Sequence, residues 1–141
     1  MYAGVDVIVG GHPHVVQRAD WLTGTNQFGE KQRTLCVYSL GNFLSGQRKS
    51  GRDGGILFEF TAERDESGCV SVTDARYVST WVWQQGSESL GYTYRILPVA
   101  EYADNRPAGM TSAEHYNMRF LRTIHEKAVT SGNLRLPEDG K

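Results

Sequence analysis

The first apolar run of the chain lacks the polar alternation of a surface strand. Val5, Val7, Ile8 and Val9 are interrupted only by Asp6, and the run stops at Gly10-Gly11 before His12-Pro13-His14-Val15-Val16. Consecutive β-branched residues without alternation predict a short strand buried on both faces. The paired glycines predict backbone conformations closed to other residues. Pro13 fixes its own φ and keeps His12 out of the helical region, so the two imidazoles sit on a stiff, extended loop. In open α/β sheets that end of a strand is where ligands bind.

The pattern then becomes that of paired strands. Residues 19–22 predict a strand, the polar stretch 23–32 with Gly24, Asn26 and Gly29 a hairpin loop, and residues 34–39 the returning partner. Farther on, Ile56, Phe58 and Phe60 alternate with Leu57, Glu59 and Thr61, residues 64–68 supply a turn, and Val70 and Val72 begin a return that continues to Trp83. On that return Tyr77, Trp81 and Trp83 share one face, with Val78 and Val82 on the other. An aromatic stripe of this kind reads first as core packing and second as a binding platform. Residues 94–99 form a last short strand whose Pro98 marks an edge or an ending. Residues 56–99 therefore read as scaffold.

One helix is predicted. Thr111-Ser112-Ala113-Glu114 has the form of a capping box. Ala113, Tyr116, Phe120, Leu121, Ile124 and Ala128 recur at helical spacing as an apolar face, and Gly132 is the expected C-cap. His115 and His125 lie ten residues apart on this helix, cannot share a metal while it is straight, and read as surface residues. Residues 1–132 are expected to form one domain and residues 133–141 a frayed tail.

Composition narrows the functions on offer. The chain has 141 residues, enough for one domain that buries roughly two thirds of its unfolded surface. Its formal net charge of -1 carries nothing basic enough to track a phosphate backbone, so nucleic acid is not an expected partner. No apolar run is long enough to cross a bilayer. Cys36 and Cys69 make no disulfide framework, and Cys36, inside a strand-like run, reads as a small core hydrophobe.

The chemistry-bearing residues are few. Neutral imidazole is a common metal ligand, which makes His12 and His14 the candidate ligands. Tyr38-Ser39-Leu40-Gly41-Asn42-Phe43 ends a strand at a glycine, so Ser39 and Asn42 read either as supports or substrate contacts of that site, or as a turn capping its own backbone. The hydrophilic stretch 47–55 groups Arg48, Lys49 and Arg52; it is a solvated loop on one reading and a cationic rim for an anionic substrate on the other.

Gly11-His12-Pro13-His14 resembles the last metal-ligand motif, Gly-His-x-His, of the calcineurin-like metallophosphoesterases. The longer string 4–17, together with residues 38–43, resembles the capsule-synthesis (CapA-like) poly-γ-glutamate proteins within that superfamily. The resemblance implies an α/β (α+β) fold, the C-terminal part of a metallophosphoesterase-like β-sandwich flanked by helices, β-rich here with one C-terminal helix. It implies divalent metal ions (Mn, Zn or Fe) on His12 and His14, with His14 the candidate catalytic residue. Ser39, Asn42, Arg48 and Arg52 would then lie around the metal or the substrate. The implied partner is an anionic polymer or a phosphoester, at the bacterial cell surface.

The superfamily's other ligand motifs normally precede Gly-His-x-His, and Gly41-Asn42-Phe43 follows the histidines and lacks the His of Gly-Asn-His. The chain is therefore expected to carry only part of the metal site, to be inactive alone, and to self-associate or await a missing N-terminal half. Another calcineurin-like phosphoesterase and a non-enzymatic β-rich binding module are the competing readings. An exposed face at Tyr77, Trp81 and Trp83 would favour the module.

Overall fold

A computed structural model describes residues 4–134. Two three-stranded sheets and two helices make it an α+β chain rich in strand. The first sheet joins β1 (Val7–Val9), β2 (Ala19–Thr25) and β3 (Lys31–Val37) in the order β1-β3-β2. β1 runs parallel to β3, and β2 antiparallel to it. The hairpin loop is shorter than expected, because strand pairing persists to Thr25↔Lys31 and Asn26 closes the turn with bonds from the Phe28 and Glu30 amides.

The second sheet is a meander of β4 (Gly54–Arg64), β5 (Val70–Ser87) and β6 (Gly91–Pro98). Pro98 ends β6 as expected and leads into a short helix, α1 (Val99–Tyr102), that the sequence pattern did not announce. α2 (Ser112–Thr130) begins at the expected capping box, with Thr111 Oγ1 accepting from the Glu114 amide and Glu114 receiving the Thr111 amide. Burial works against the Glu114 charge, but donors from Thr111 and the Trp83 indole outweigh it and hold the carboxyl below its usual range.

Two apolar clusters hold these parts together. Ala19, Leu35 and Val37 of the first sheet meet Ile56 and Tyr77 of the second, with Val129 and Leu134. Trp81, Trp83 and Leu97 meet Met118 and Leu121 of α2. Tyr77, Trp81 and Trp83 are thus core residues, as the first reading of the stripe required, and the platform reading loses its surface. Cys36 is buried as expected, and burial pushes its thiol pKa up.

Three expectations need correction. β1 is not buried on both faces: Ile8 is 43% and Val9 49% exposed, because β3 is its only neighbour among the described residues. The buried stripe of α2 is Met118, Leu121, His125 and Val129, whereas Tyr116 and Phe120 stack on each other at 6.2 Å on the opposite, exposed side. Both stripes have helical spacing; tertiary packing chose the one that holds a histidine. His125 is consequently a core residue, and His115 is half-buried with Nε2 bonded to the Tyr102 carbonyl at 2.8 Å.

The helix exit docks on β2. Ser131 is the C-cap, and Gly132 is small because a Cβ there would collide with the Ala19 carbonyl. The Asn133 carboxamide accepts the Trp21 amide at 2.7 Å and donates to the Trp21 carbonyl at 3.0 Å, imitating a strand neighbour along the β2 edge. Leu134 is buried, so the expected tail does not start at residue 133; residues 135–141 lie outside the described residues.

Candidate metal-binding loop

β1 delivers the histidine loop at its C-terminal end, and the loop is stitched down on both sides. Gly10 N–H donates to the Val37 carbonyl at 2.8 Å, and Leu40 N–H to the Gly10 carbonyl at 3.0 Å. Gly10 is needed for this close approach, since a Cβ would run into the Tyr38 carbonyl oxygen; neither Gly10 nor Gly11 uses the positive φ that the sequence allowed them. Past the histidines, Gln17 N–H donates to the Ser39 carbonyl, and Val16 pairs with Leu40. Between these anchors the backbone of His14 is held at φ 59°, a left-handed conformation uncommon for a non-glycine residue. Such outliers collect at sites that over-determine them.

The segment after β3 reaches the same place. Gly41, at φ 73°, turns the chain, and Asn42 N–H bonds the Gly54 carbonyl while Ile56 N–H bonds the Leu40 carbonyl. This crossing ties the histidine loop of the first sheet to the start of β4 in the second. It also aims the buried Asn42 side chain. Asn42 Nδ2 donates to the Arg52 carbonyl at 2.7 Å, and Asn42 Oδ1 lies 2.8 Å from His14 Nδ1.

These two bonds fix a proton. A carbonyl oxygen only accepts, so the Arg52 carbonyl sets which end of the carboxamide is the NH₂ group. Oδ1 therefore faces His14, and Nδ1 must be the donor. In the neutral ring the lone pair then resides on Nε2, which makes no hydrogen bond among the described residues, on an exposed side chain. A ligating histidine is commonly oriented by just such an acceptor on its other nitrogen.

His12 is also exposed, with its ring centroid 6.5 Å from that of His14 and a tilt of 45° between the rings. Two imidazoles on one tetrahedral ion bring their centroids to roughly 5–5.5 Å. The observed separation is wider, and suits one ring on each of two neighbouring ions or a small rotation of His12. No group of three or more His, Cys, Asp or Glu side chains converges among the described residues. The donor set thus fits part of a divalent-metal site: two imidazoles, one of them set in the ligating tautomer.

The remaining sequence candidates separate. Asn42 joins His14. Ser39 is fully buried, and its Oγ accepts the Gly41 N–H at 3.2 Å, the bond that the turn reading requires. The exposed Arg48 guanidinium is held in place by donating to the Val82 carbonyl at 2.6 Å and the Ser45 carbonyl at 2.5 Å. Arg52 is exposed, its backbone held by Asn42, and its guanidinium has no partner among the described residues. Of the acids that could have added a ligand, Asp20 is taken by Arg18 and the Asn133 amide, and Asp53 by the Trp81 indole. The Arg52 carbonyl is the functional group that residue patterns missed, since a backbone acceptor leaves no mark in a side-chain sequence.

No curated protein and no solved structure shows a significant match to the chain. The family model for the bacterial capsule synthesis protein PGA_cap matches residues 1–47, the stretch that contains His12, His14, Ser39 and Asn42 but neither Arg48 nor Arg52. Residues 1–47 are thus similar to the bacterial capsule synthesis family.

Proposed function

We propose that the His12–His14 loop is the histidine part of a divalent-metal site (Mn, Zn or Fe) in a metallophosphoesterase-like capsule synthesis protein. Its substrate is an anionic polymer such as poly-γ-glutamate, or a phosphoester. The observation that supports this most is the Asn42 carboxamide, pinned by the Arg52 carbonyl, holding His14 with Nε2 free. Bound there, an ion would act as a Lewis acid toward a phosphoryl or carboxylate oxygen. On this reading the Arg52 guanidinium meets the anionic substrate, and Asn42 orients His14 without touching substrate.

Two imidazoles are fewer than the four donors of a closed site. The edge of β1 that has no neighbour among the described residues ends at the histidine loop, so a strand of a second copy paired there would bring further ligands alongside His12. The chain alone is accordingly a weak binder and inactive as a hydrolase.

Calorimetry with Mn²⁺ and Zn²⁺ tests the reading, comparing the wild-type chain with the His12→Ala/His14→Ala variant. The expected result is binding that the double variant loses. No binding by the wild-type chain, or equal binding by the variant, would overturn it.

A further inference from the structure

Asn42, which orients His14, also closes a surface loop. Its N–H donates to the Gly54 carbonyl at 3.0 Å and its Nδ2 to the Arg52 carbonyl at 2.7 Å, so residues 43–52 leave the fold and return at one neck. Within the loop the Gln47 amide donates to Ser45 Oγ, the Arg52 amide to the Lys49 carbonyl, and the Arg48 guanidinium to the Ser45 carbonyl. Surface loops of this length, with joined ends and bonds of their own, are compact and often functional.

The loop shows solvent two features at once. Phe43 and Leu44, consecutive and large, are 56% and 60% exposed. Scattered apolar residues are common on protein surfaces, so this pair alone decides nothing. The second feature is charge. Arg48, Lys49 and Arg52 are all exposed, and residues 43–52 contain no Asp or Glu, in a chain whose formal net charge is -1. The Arg48 guanidinium is bonded to carbonyls, which leave its charge uncompensated, and neither Lys49 nor Arg52 has an ion-pair partner among the described residues.

The surroundings extend the pattern. A Cβ on Gly46 would lie 3.3 Å from the Tyr94 hydroxyl, which puts this exposed tyrosine of β6 beside the loop. The α2 residues that share a cavity wall with Arg48 and Gly51 are Asn117, Phe120, Leu121 and Ile124, none of them charged. Asp53 is the one acid on that wall, and it is half-buried with Oδ2 on the Trp81 indole.

A soluble polycarboxylate would satisfy the cations and leave Phe43 and Leu44 in water. An apolar protein groove would bury those two and leave the cations unpaired. An anionic lipid surface answers both features, because cations meet its headgroups while apolar side chains enter at the acyl boundary, and stable peripheral binding calls for two such signals together. We propose that residues 43–52 dock this chain on an anionic membrane surface, with Phe43 and Leu44 entering the headgroup layer and Arg48 and Lys49 on lipid phosphates. Arg52, at the neck, adds to the local positive potential, and Tyr94 is a side chain of the kind that collects at membrane interfaces. This assignment is independent of the metal-site reading.

The test is co-sedimentation of the full chain with vesicles of phosphatidylcholine alone or mixed with phosphatidylglycerol. Binding to the mixed vesicles, weakened by added salt and absent with phosphatidylcholine alone, is the expected result. Phe43→Ser/Leu44→Ser should lower the partition coefficient about tenfold, and so should Lys49→Glu, which reverses one charge. All three positions are exposed, so an unchanged urea midpoint will report an intact fold. No binding to the mixed vesicles would overturn the proposal, as would equal binding to phosphatidylcholine or undiminished binding by either variant. Soluble polyglutamate bound equally by wild type and Phe43→Ser/Leu44→Ser, with no vesicle binding, would assign the loop to a polymer instead.

Discussion

His14 and His125 are half-bonded in the same way and differ in everything that follows. Each has Nδ1 in one short hydrogen bond, to Asn42 Oδ1 at 2.8 Å and to Ser79 Oγ at 2.7 Å, and each leaves Nε2 without a partner among the described residues. For His14 the free nitrogen is on an exposed ring, and the partner is a carboxamide whose orientation is locked from behind. For His125 the ring is fully buried between Leu121 of one core cluster and Val129 of the other, and the partner is a hydroxyl that can rotate to donate or accept. The contrast separates two uses of one side chain. A ligand needs a fixed tautomer and an open second nitrogen; a core filler needs only to stay neutral.

The largest measurable consequence lies at His125. Burial lowers its pKa from 6.5 to about 4. The folded chain therefore holds His125 neutral at pH values where the unfolded chain protonates it, so the unfolded state binds more protons through this window. Its contribution to stability is fully present above pH 6.5, declines as the pH falls, and is lost by about pH 4, amounting to about 3 kcal/mol. Urea midpoints measured from pH 7 to pH 4 should fall accordingly. His125→Leu should flatten that part of the profile, leaving the slope from carboxylates such as Asp65, whose pKa is lowered by the Ser67 hydroxyl and the Cys69 amide. An unchanged profile in His125→Leu would show that His125 is not the group responsible.

The next effect tests whether the locked carboxamide matters to His14. Asn42→Ala removes the acceptor and should weaken metal binding by roughly 10–100-fold, the usual loss when an orienting group is removed. Asn42→Asp keeps an oxygen facing Nδ1 and loses only the donor to the Arg52 carbonyl, so its affinity should stay within a few-fold of wild type. Calorimetry on the two variants separates orientation of the ring from tethering of the loop. Equal losses would assign Asn42 to the loop and leave His14 without its orienting partner.

How much of this could be read from the sequence depends on the range of the interaction. The capping box and the β4–β5 hairpin are local patterns, and they appear where periodicity and turn residues put them; the histidine loop follows β1 as expected, but as a turn with His14 at φ 59° and not as an extended stretch. The burial of His125 was not legible, because helical spacing allowed a stripe through Tyr116 and Phe120 as readily as one through Met118 and Leu121. Only the side of α2 that the second sheet covers decides between them. The docking of Asn133 was hidden for the same reason: its partner, Trp21, is 112 residues away. The exposure of β1 shows the converse, since a sequence suited to the interior of a sheet has a neighbour on one side only among the described residues.

The smallest effect sharpens the comparison most, because one substitution should act in opposite senses at the two positions. At residue 14 the backbone already sits at φ 59°, where glycine is unstrained and a side chain is not. His14→Gly relieves that strain while losing one partly exposed hydrogen bond, and glycine's added freedom in the unfolded chain takes back some of the gain. The net change in folding stability should be within about 1 kcal/mol of zero, with metal binding lost. At residue 125 the same change empties a fully buried site in the middle of α2 and puts glycine into a helix interior, which should destabilise by several kcal/mol. Denaturant midpoints of the two variants at pH 7 supply the check. If His14→Gly were as damaging as His125→Gly, the histidine loop would be part of the structural core, and the strain at His14 would have lost its meaning as a mark of function.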